Sequence, residues 1–279
     1  PSMDDESAWE EMSVAQKYIL ILGYREEAAI SKINTKYHKQ LPATVVMEKE
    51  RGEFDPPAKS DDNSHIKAYL TKTRGLSSAC VEYLIEKDYI YESKIETYTD
   101  KKTGLTKNLK TPIYNLVVPG RDPEGNIRYA YKRETWDLEG EFIPKNREGK
   151  KPFKGEAYNS EKAYAWCHIN PDSQEIAIFE APIDAFSMID LLLSQGVHTE
   201  NIPNMVALGG TSTPALDRIL NENEHIKVCI ICFDNDYDKG DKATGPKVAK
   251  ELKTNLEERG YRTVIALAPV TTKVDKEGK

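Results

Sequence analysis

Apolar and polar positions follow two different rhythms along this chain. Between residues 175 and 268 four short apolar runs stand out: Ile176-Ala-Ile-Phe179, Met205-Val-Ala-Leu208, Lys227 to Phe233, and Thr263 to Leu267. Their length and composition predict strands. Pro182 to Gln195 places Ile183, Phe186, Ile189 and Leu193 at helical spacing, and Pro214 to Asn221 and Pro246 to Arg259 also read as helices. The resulting order, β-α-β-α-β-α-β, predicts a parallel sheet covered by helices. Sheets of that kind carry their sites at the carboxyl ends of the strands.

The upstream rhythm is less regular. Trp9, Val14, Tyr18 and Ile21 recur at helical spacing, Gly23 breaks the run, and Glu26 to Tyr37 continues it, so residues 1–46 read as a helical segment. Residues 47–64 are charged, contain Pro56-Pro57 and lack an apolar period, which is the composition of a linker. Ile66 to Tyr91 reads as two short helices with Gly75 as the stop between them. From residue 93 to 172, strand-like pieces (Tyr114 to Val118, Ile127 to Tyr131) are joined by turns such as Asp122-Pro-Glu-Gly125, and Asp100–Lys110 looks like an exposed hairpin tip. The expected architecture is therefore α/β: a Rossmann-like parallel sheet flanked by helices, preceded by a small α+β subdomain and an N-terminal helical segment. Its divisions fall at 1–46, 47–64, 65–172, 173–270 and a tail, 271–279.

The 279 residues carry a formal charge of −7, with 39% hydrophobic and 30% charged residues. That suits a soluble globular protein and argues against a protein that coats DNA through net positive charge. No apolar stretch approaches the roughly 20 residues needed to span a membrane. The chain starts Pro-Ser-Met and ends in a charged tail, and reads as a piece of a longer polypeptide. Four cysteines form no disulfide framework, which points to a reducing, cytoplasmic setting. Cys229 and Cys232 make a CxxC, but three residues apart on a strand they point to opposite faces and read as core thiols. Charge is unevenly spread. Lys94 to Lys162 holds 15 Lys or Arg against 11 Asp or Glu, interleaved with Tyr129, Tyr131, Trp136, Phe153 and Tyr158. That mixture suits a single-strand nucleic-acid groove, and equally a solvated face over ordinary core aromatics.

Carboxylates stand at the expected strand ends. Glu180 follows the first strand, Asp184 sits in the first turn of the next helix, Gly209-Gly210 follows the second strand, and Asp234-Asn-Asp236 follows the third. Carboxylates crowded together stay ionised only when a cation neutralises them, and oxygen donors of this kind suit Mg²⁺. Singly, each has an ordinary reading: Asp184 as a helix N-terminal charge, Asp234 and Asp236 as turn formers. Glu180, a charge directly after four apolar strand residues, needs a partner. Rival motifs fail. An EF-hand beginning at Asp234 has Lys239 where glycine is required and Gly245 where the closing glutamate belongs. A P-loop over Gly240–Gly245 has Pro246 in the lysine position. Ser187 lies within a helix with no histidine placed to activate it.

Three stretches together resemble the signatures of a Toprim domain, the catalytic fold of DnaG-type primases, topoisomerases, OLD-family nucleases and recombination proteins. They are Ile176 to Ser187 with Glu180-Ala-Pro-Ile-Asp184, Val206 to Gly210, and Ile230 to Asp236. The Glu-x-Pro-Ile-Asp-Ala form is similar to Toprim proteins of plasmids and conjugative elements. Upstream, Asp62 to Gly75, Asn115 to Val118, Gly125 to Ala130 and Lys154 to Lys162 resemble the module that precedes Toprim in those proteins, itself similar to the N-terminal half of a primase polymerase core.

The resemblance implies roles. Glu180 matches the glutamate that acts as general acid/base or organises metal, Asp234 and Asp236 the metal-binding pair, and Asp184 a supporting catalytic aspartate. Gly209 and Gly210 match the glycine turn beside the site. Lys132 and Arg133 match basic residues for template or nucleotide phosphates. The implied cofactor is Mg²⁺ or Mn²⁺. The implied partners are a single-stranded DNA template and nucleoside triphosphates, with a helicase or relaxase of the same element as a further partner and no membrane. The implied activity is that of a primase-like, metal-dependent nucleotidyltransferase core in mobile-element DNA replication or transfer. A non-catalytic nucleic-acid-binding adaptor and a Toprim-type DNA-cleaving enzyme remain the alternatives. The sequence departs from the family pattern in three ways. Ala181 replaces the glycine common after the glutamate, the loop after Asp236 is longer and more charged, and no zinc-binding Cys/His module precedes the core.

Overall fold

Two sheets of different construction share one hydrophobic core in this computed structural model, which describes residues 52–99, 103–136, 149–234 and 245–266. The helical segment expected over residues 1–46, the first five residues of the expected linker (47–51) and the 271–279 tail lie outside the described residues. The described residues from Glu53 onward form one compact unit.

The upstream sheet is antiparallel and ordered β1 (Tyr91–Thr99), β2 (Thr106–Arg121), β3 (Ile127–Glu134), β4 (Lys154–Glu156). Before it come α1 (Ser64–Ala68), a π-helical turn over Tyr69–Thr73, and α2 (Ser78–Glu86). Gly75 has φ +76°, a left-handed conformation that ends the first helical stretch at the expected stop. Ser77 caps α2, its hydroxyl accepting from the Cys80 N–H at 3.1 Å. Residues 52–63 have neither helix nor strand, yet they are held. Phe54 packs with Tyr91, Val117 and Ala130 on the outer face of the sheet, and the Ser60 N–H donates to the Glu92 carbonyl at 2.8 Å.

The second sheet has the order β5 (Cys167–His168), β7 (Asn204–Ala207), β6 (Glu175–Phe179), β8 (Val228–Cys232), β9 (Arg262–Ile265). β7, β6, β8 and β9 are parallel, as the alternation of apolar runs implies, and β5 adds an antiparallel edge strand that the pattern does not reveal. The crossovers are α3 (Pro182–Ser194), α4 (Pro214–Glu222) and α5 (Gly245–Glu258). Pro182 and Pro214 open their helices at positions where no backbone donor is needed, with Asp184 and Asp217 in the first turns. α3 buries Ile183, Phe186 and Ile189 against the sheet. At about 25 cal/mol per Å² of buried apolar surface, each such side chain contributes roughly 2 kcal/mol.

The main core joins Leu116, Val118, Tyr129 and Tyr131 of the antiparallel sheet to Ile176, Ile178, Met205, Val206, Cys229 and Ile231 of the parallel one. Along β3 the side chains alternate. Tyr129 and Tyr131 enter this core, whereas Ala130 faces the small outer cluster. Cys229 is buried and Cys232 partly so, and burial pushes both thiols up to about 11, which makes them inert core groups.

A candidate metal and phosphate site between the two sheets

The chain runs from β6 through α3 to β7 on one side, then returns so that β8 lies on the other side of β6. The point where strand order reverses is thus between β6 and β8, and crevices at such points, outside the carboxyl ends, hold ligands in parallel sheets. Glu180 directly follows β6, and Asp234 stands two residues beyond β8. The structure brings them together: the Asp234 N–H donates to Glu180 Oε1 at 3.1 Å. The Glu180 carbonyl accepts from the Gly210 N–H at 2.9 Å, so the glycine turn after β7 belongs to the same assembly. Asp236 lies outside the described residues.

Asp184 completes the group from the first turn of α3. Burial, and then the neighbouring Asp234 charge, hold its carboxyl above the usual carboxylate range. Two cationic side chains of the upstream module oppose this, Arg74 just after the π-helical turn and Lys154 at the start of β4. Neither stands out in the sequence. Arg74 reads there as part of a helix end before Gly75, and Lys154 as one cation in a basic stretch. Lys154 opens the Lys154–Lys162 segment that carries the family resemblance, which is the signal available for it.

The two cations that the resemblance did single out lie on opposite faces of β3. Arg133 follows Tyr131 on the core-facing side, stacks over the Tyr69 ring at 5.6 Å and pairs in register with Lys154. Lys132 points the other way, over the Phe153 ring at 5.7 Å, and burial lowers its ammonium pKa. The five aromatics of this region divide as well. Tyr129, Tyr131 and Trp136 are buried core residues, whereas Phe153 and Tyr158 are exposed.

Gly209 is constrained by the upstream module. Gly209 has φ +67°, and a Cβ there would sit 2.2 Å from the Tyr129 hydroxyl and 3.0 Å from Glu156 Oε1. The Tyr129 hydroxyl donates to Glu156 at 3.3 Å, and Lys162 pairs with the same carboxylate at 3.0 Å. Gly245, the first residue of α5, is a third glycine of the site. A Cβ on it would meet the Asp234 carbonyl oxygen at 2.2 Å and Glu180 Oε1 at 3.2 Å. In sequence it marks only the place where the EF-hand reading fails.

The donor set suits a hard divalent cation. It consists of carboxylate oxygens, and Asp184 and Asp234 repel each other in a way that a bound cation relieves. A separate trio, Asp62, His65 and Glu92, brings its ligand atoms within 4.8 Å of one another. Its chemistry is already satisfied: Glu92 accepts from the His65 N–H at 2.9 Å, the Ile66 N–H at 3.1 Å and the His65 ring, and so caps α1 from the side.

A parallel α/β domain with acidic strand ends, preceded by an antiparallel module that lends it cations, is the class of protein that fold and site define. Residues 177–277 match the Toprim-like family, and residues 68–171 match the family described as protein of unknown function (DUF3991). The chain therefore joins a DUF3991 module to a Toprim-like domain. No curated protein matches it in sequence. Among solved structures it is similar to the primase fragment of the bacteriophage T7 primase-helicase protein, at 16% identity and a TM-score of 0.43, covering 71% of this chain and 64% of that one. It is similar to the DnaG primase catalytic domain bound to ssDNA, at 16% identity and a TM-score of 0.39, covering 95% and 75%. The RNA polymerase domain of Mycobacterium tuberculosis primase DnaG is similar as well, at 16% identity and a TM-score of 0.37, covering 92% and 74%. The chain thus spans less than two thirds of the T7 fragment. Among the described residues, no helix is long and apolar enough to cross a membrane.

Proposed function

We propose that the protein is a primase-like nucleotidyltransferase core that acts on nucleic acid with a divalent metal ion. The observation that carries this reading is the meeting of Glu180 and Asp234 at the strand-order reversal, with Asp184 beside them. In this reading Asp234, Asp236 and Glu180 hold Mg²⁺ or Mn²⁺, and Asp184 supports them. When bound, the metal supplies charge neutralisation for a triphosphate and for the phosphoryl group in transfer.

The chain's own residues do the rest. Glu180 is held by the Asp234 N–H and tied to the glycine turn through its own carbonyl, and in this reading it accepts a proton from an attacking hydroxyl. Arg74 and Lys154, which act on Asp184, and Arg133, in register with Lys154, make up in this reading a cationic wall that binds the phosphates of an incoming nucleotide or of the template. Gly209, Gly210 and Gly245 keep side chains out of the space between them. Single-stranded DNA and nucleoside triphosphates are the substrates of this reading. By the same resemblance, its setting is the replication or transfer of mobile-element DNA, with a helicase or relaxase as partner.

The test is template-directed synthesis with Mg²⁺ or Mn²⁺ and nucleoside triphosphates. Short products are expected from the full chain, falling by about 100-fold or more in Asp234→Ala, since the metal's contribution is worth several kcal/mol. Undiminished synthesis by that variant would overturn the reading.

A further inference from the structure

Beyond Ile95 and Ile113, the described residues of the long β1–β2 hairpin take no part in the core. β1 and β2 pair normally up to Ile95 opposite Ile113. The next pair is Thr97 opposite Asn108, so two steps along β1 are matched by five along β2. Extra residues of this kind bend and re-aim a strand pair. Beyond the bulge, Thr97, Tyr98 and Thr99 pair with Asn108, Lys107 and Thr106, and all six are exposed. No described residue from 94 to 110 belongs to either core cluster, and Tyr98 and Leu105 remain 55% and 60% exposed. A two-stranded ribbon open on both sides gains nothing from burial.

Its surface has a definite chemistry. One face presents Tyr98 beside Lys107, and the other presents Thr97, Thr99, Thr106 and Asn108. Among its described residues the cations are Lys94, Lys107 and Lys110 and the only anion is Glu96, which already pairs with Lys94 at 2.6 Å. Lys107 and Lys110 make no ion pair among the described residues and leave the arm positive in a chain whose total is −7. Hydroxyls, amides and ammonium groups on one projecting element are the donors that contact nucleic-acid phosphates. A two-stranded ribbon is also a shape that a B-form major groove, about 12 Å wide, admits.

The arm leaves the sheet at the right end. Leu116 is the register partner of Arg133, and Ile113, where regular pairing stops, lies three residues further along β2. At about 3.3 Å per residue the arm begins roughly 10 Å along the strand from the cationic wall of the site.

We propose that this β1–β2 arm grips double-stranded DNA flanking the site. The proposal rests on nucleic acid being the substrate of that site, and it adds a partner: the duplex next to a single-stranded template. Lys107 and Lys110 neutralise phosphates, and Tyr98 and the threonine face lie against the groove wall.

The experiment is a fluorescence-anisotropy titration of the full chain against a short DNA duplex with a single-stranded overhang, and against the single strand alone, over a range of salt. In Lys107→Gln/Lys110→Gln, the slope of log affinity against log salt on the overhang duplex is expected to flatten by about two, at about one for each phosphate no longer neutralised. Affinity for the single strand is expected to hold. Thr106→Lys, an addition on the exposed arm, is expected to steepen the duplex slope by about one. An unchanged duplex slope in both variants overturns the proposal, and so does an equal loss on the single strand. The readout needs no catalysis. Arm-dependent duplex binding by a protein that makes no product would sink the proposed activity alone, whereas arm-independent binding by an active protein would sink the arm alone.

Discussion

The two sheets use their residues in opposite ways. In the parallel sheet β7 is buried throughout and β6 nearly so, and polar chemistry is pushed to the residues just past each strand: Glu180, Gly209-Gly210 and Asp234. In the antiparallel sheet the chemistry lies on a face, because alternate residues of β3 look in opposite directions. Tyr129, Tyr131 and Arg133 look toward the other sheet, and Lys132 looks away. The site is built where the ends of one sheet meet the face of the other. The candidate site draws its anionic groups from the parallel half, Glu180, Asp184 and Asp234, and its cations Arg74 and Lys154 from the upstream module.

That division of labour can be broken first at the seam. Gly120 of β2 is where the upstream sheet touches the segment leading into the parallel sheet, and a Cβ on it would lie 1.7 Å from the Tyr164 carbonyl oxygen. The contact is backbone to backbone and has little room to relax. Gly120→Ala is expected to cost about 3 kcal/mol or more, or to prevent folding. Chemical denaturation measures this, and a loss below about 1 kcal/mol would mean that the two halves slide past each other freely.

A smaller effect is expected at the glycine turn. Gly209→Ala meets both a left-handed backbone and the Tyr129 hydroxyl, at a combined cost of about 2 kcal/mol. Adding Tyr129→Phe removes the obstructing oxygen. The double variant is therefore expected to recover part of the loss, and thermal melts of the single and double variants read the coupling. Purely additive effects would show that the upstream module does not set the turn.

The smallest effect concerns pH. Asp184 is held above the ordinary carboxylate range by burial and then by Asp234. A carboxyl with a raised folded pKa stabilises the fold while protonated. That contribution is full below the unfolded value and is lost as pH rises through the folded one. Metal-free protein is therefore expected to lose Tm as pH climbs out of the carboxylate range toward neutrality. Asp184→Asn should flatten that decline, at roughly 2–4 °C per kcal/mol for a chain of this size. Parallel melting curves for the two proteins with chelator present would contradict the arrangement.

The parallel half is legible in the sequence because each of its strands is a short apolar run closed by a charged or glycine residue. The expected strand 176–179 is observed as 175–179, and the expected helix 182–195 as 182–194. Glu180 and Asp234 are legible for the same reason. The upstream half is legible only in part: the expected pieces 114–118 and 127–131 fall within β2 and β3, and Gly75 stands between the two expected helices. β1 leaves no strand signal because its sequence, Tyr-Glu-Ser-Lys-Ile-Glu-Thr-Tyr-Thr, is mostly polar and exposed along its outer half. Of β2's sixteen residues only 114–118 read as strand, since the first part is the exposed arm and contains Pro112. Arg74 and Lys154 lie within stretches that carry the family resemblance, Asp62 to Gly75 and Lys154 to Lys162, but nothing there singles them out. They reach Asp184 only because a π-helical turn and a three-residue strand place them there, and register between distant strands leaves no local pattern.

The most direct test of the account is Mn²⁺ binding followed by electron paramagnetic resonance on the full chain, in wild type, Glu180→Gln and Asp234→Asn. If Glu180 and Asp234 hold one ion between them, wild type takes up Mn²⁺ and each variant binds it about 10-fold or more weakly. Equal Mn²⁺ affinity in all three proteins would contradict it.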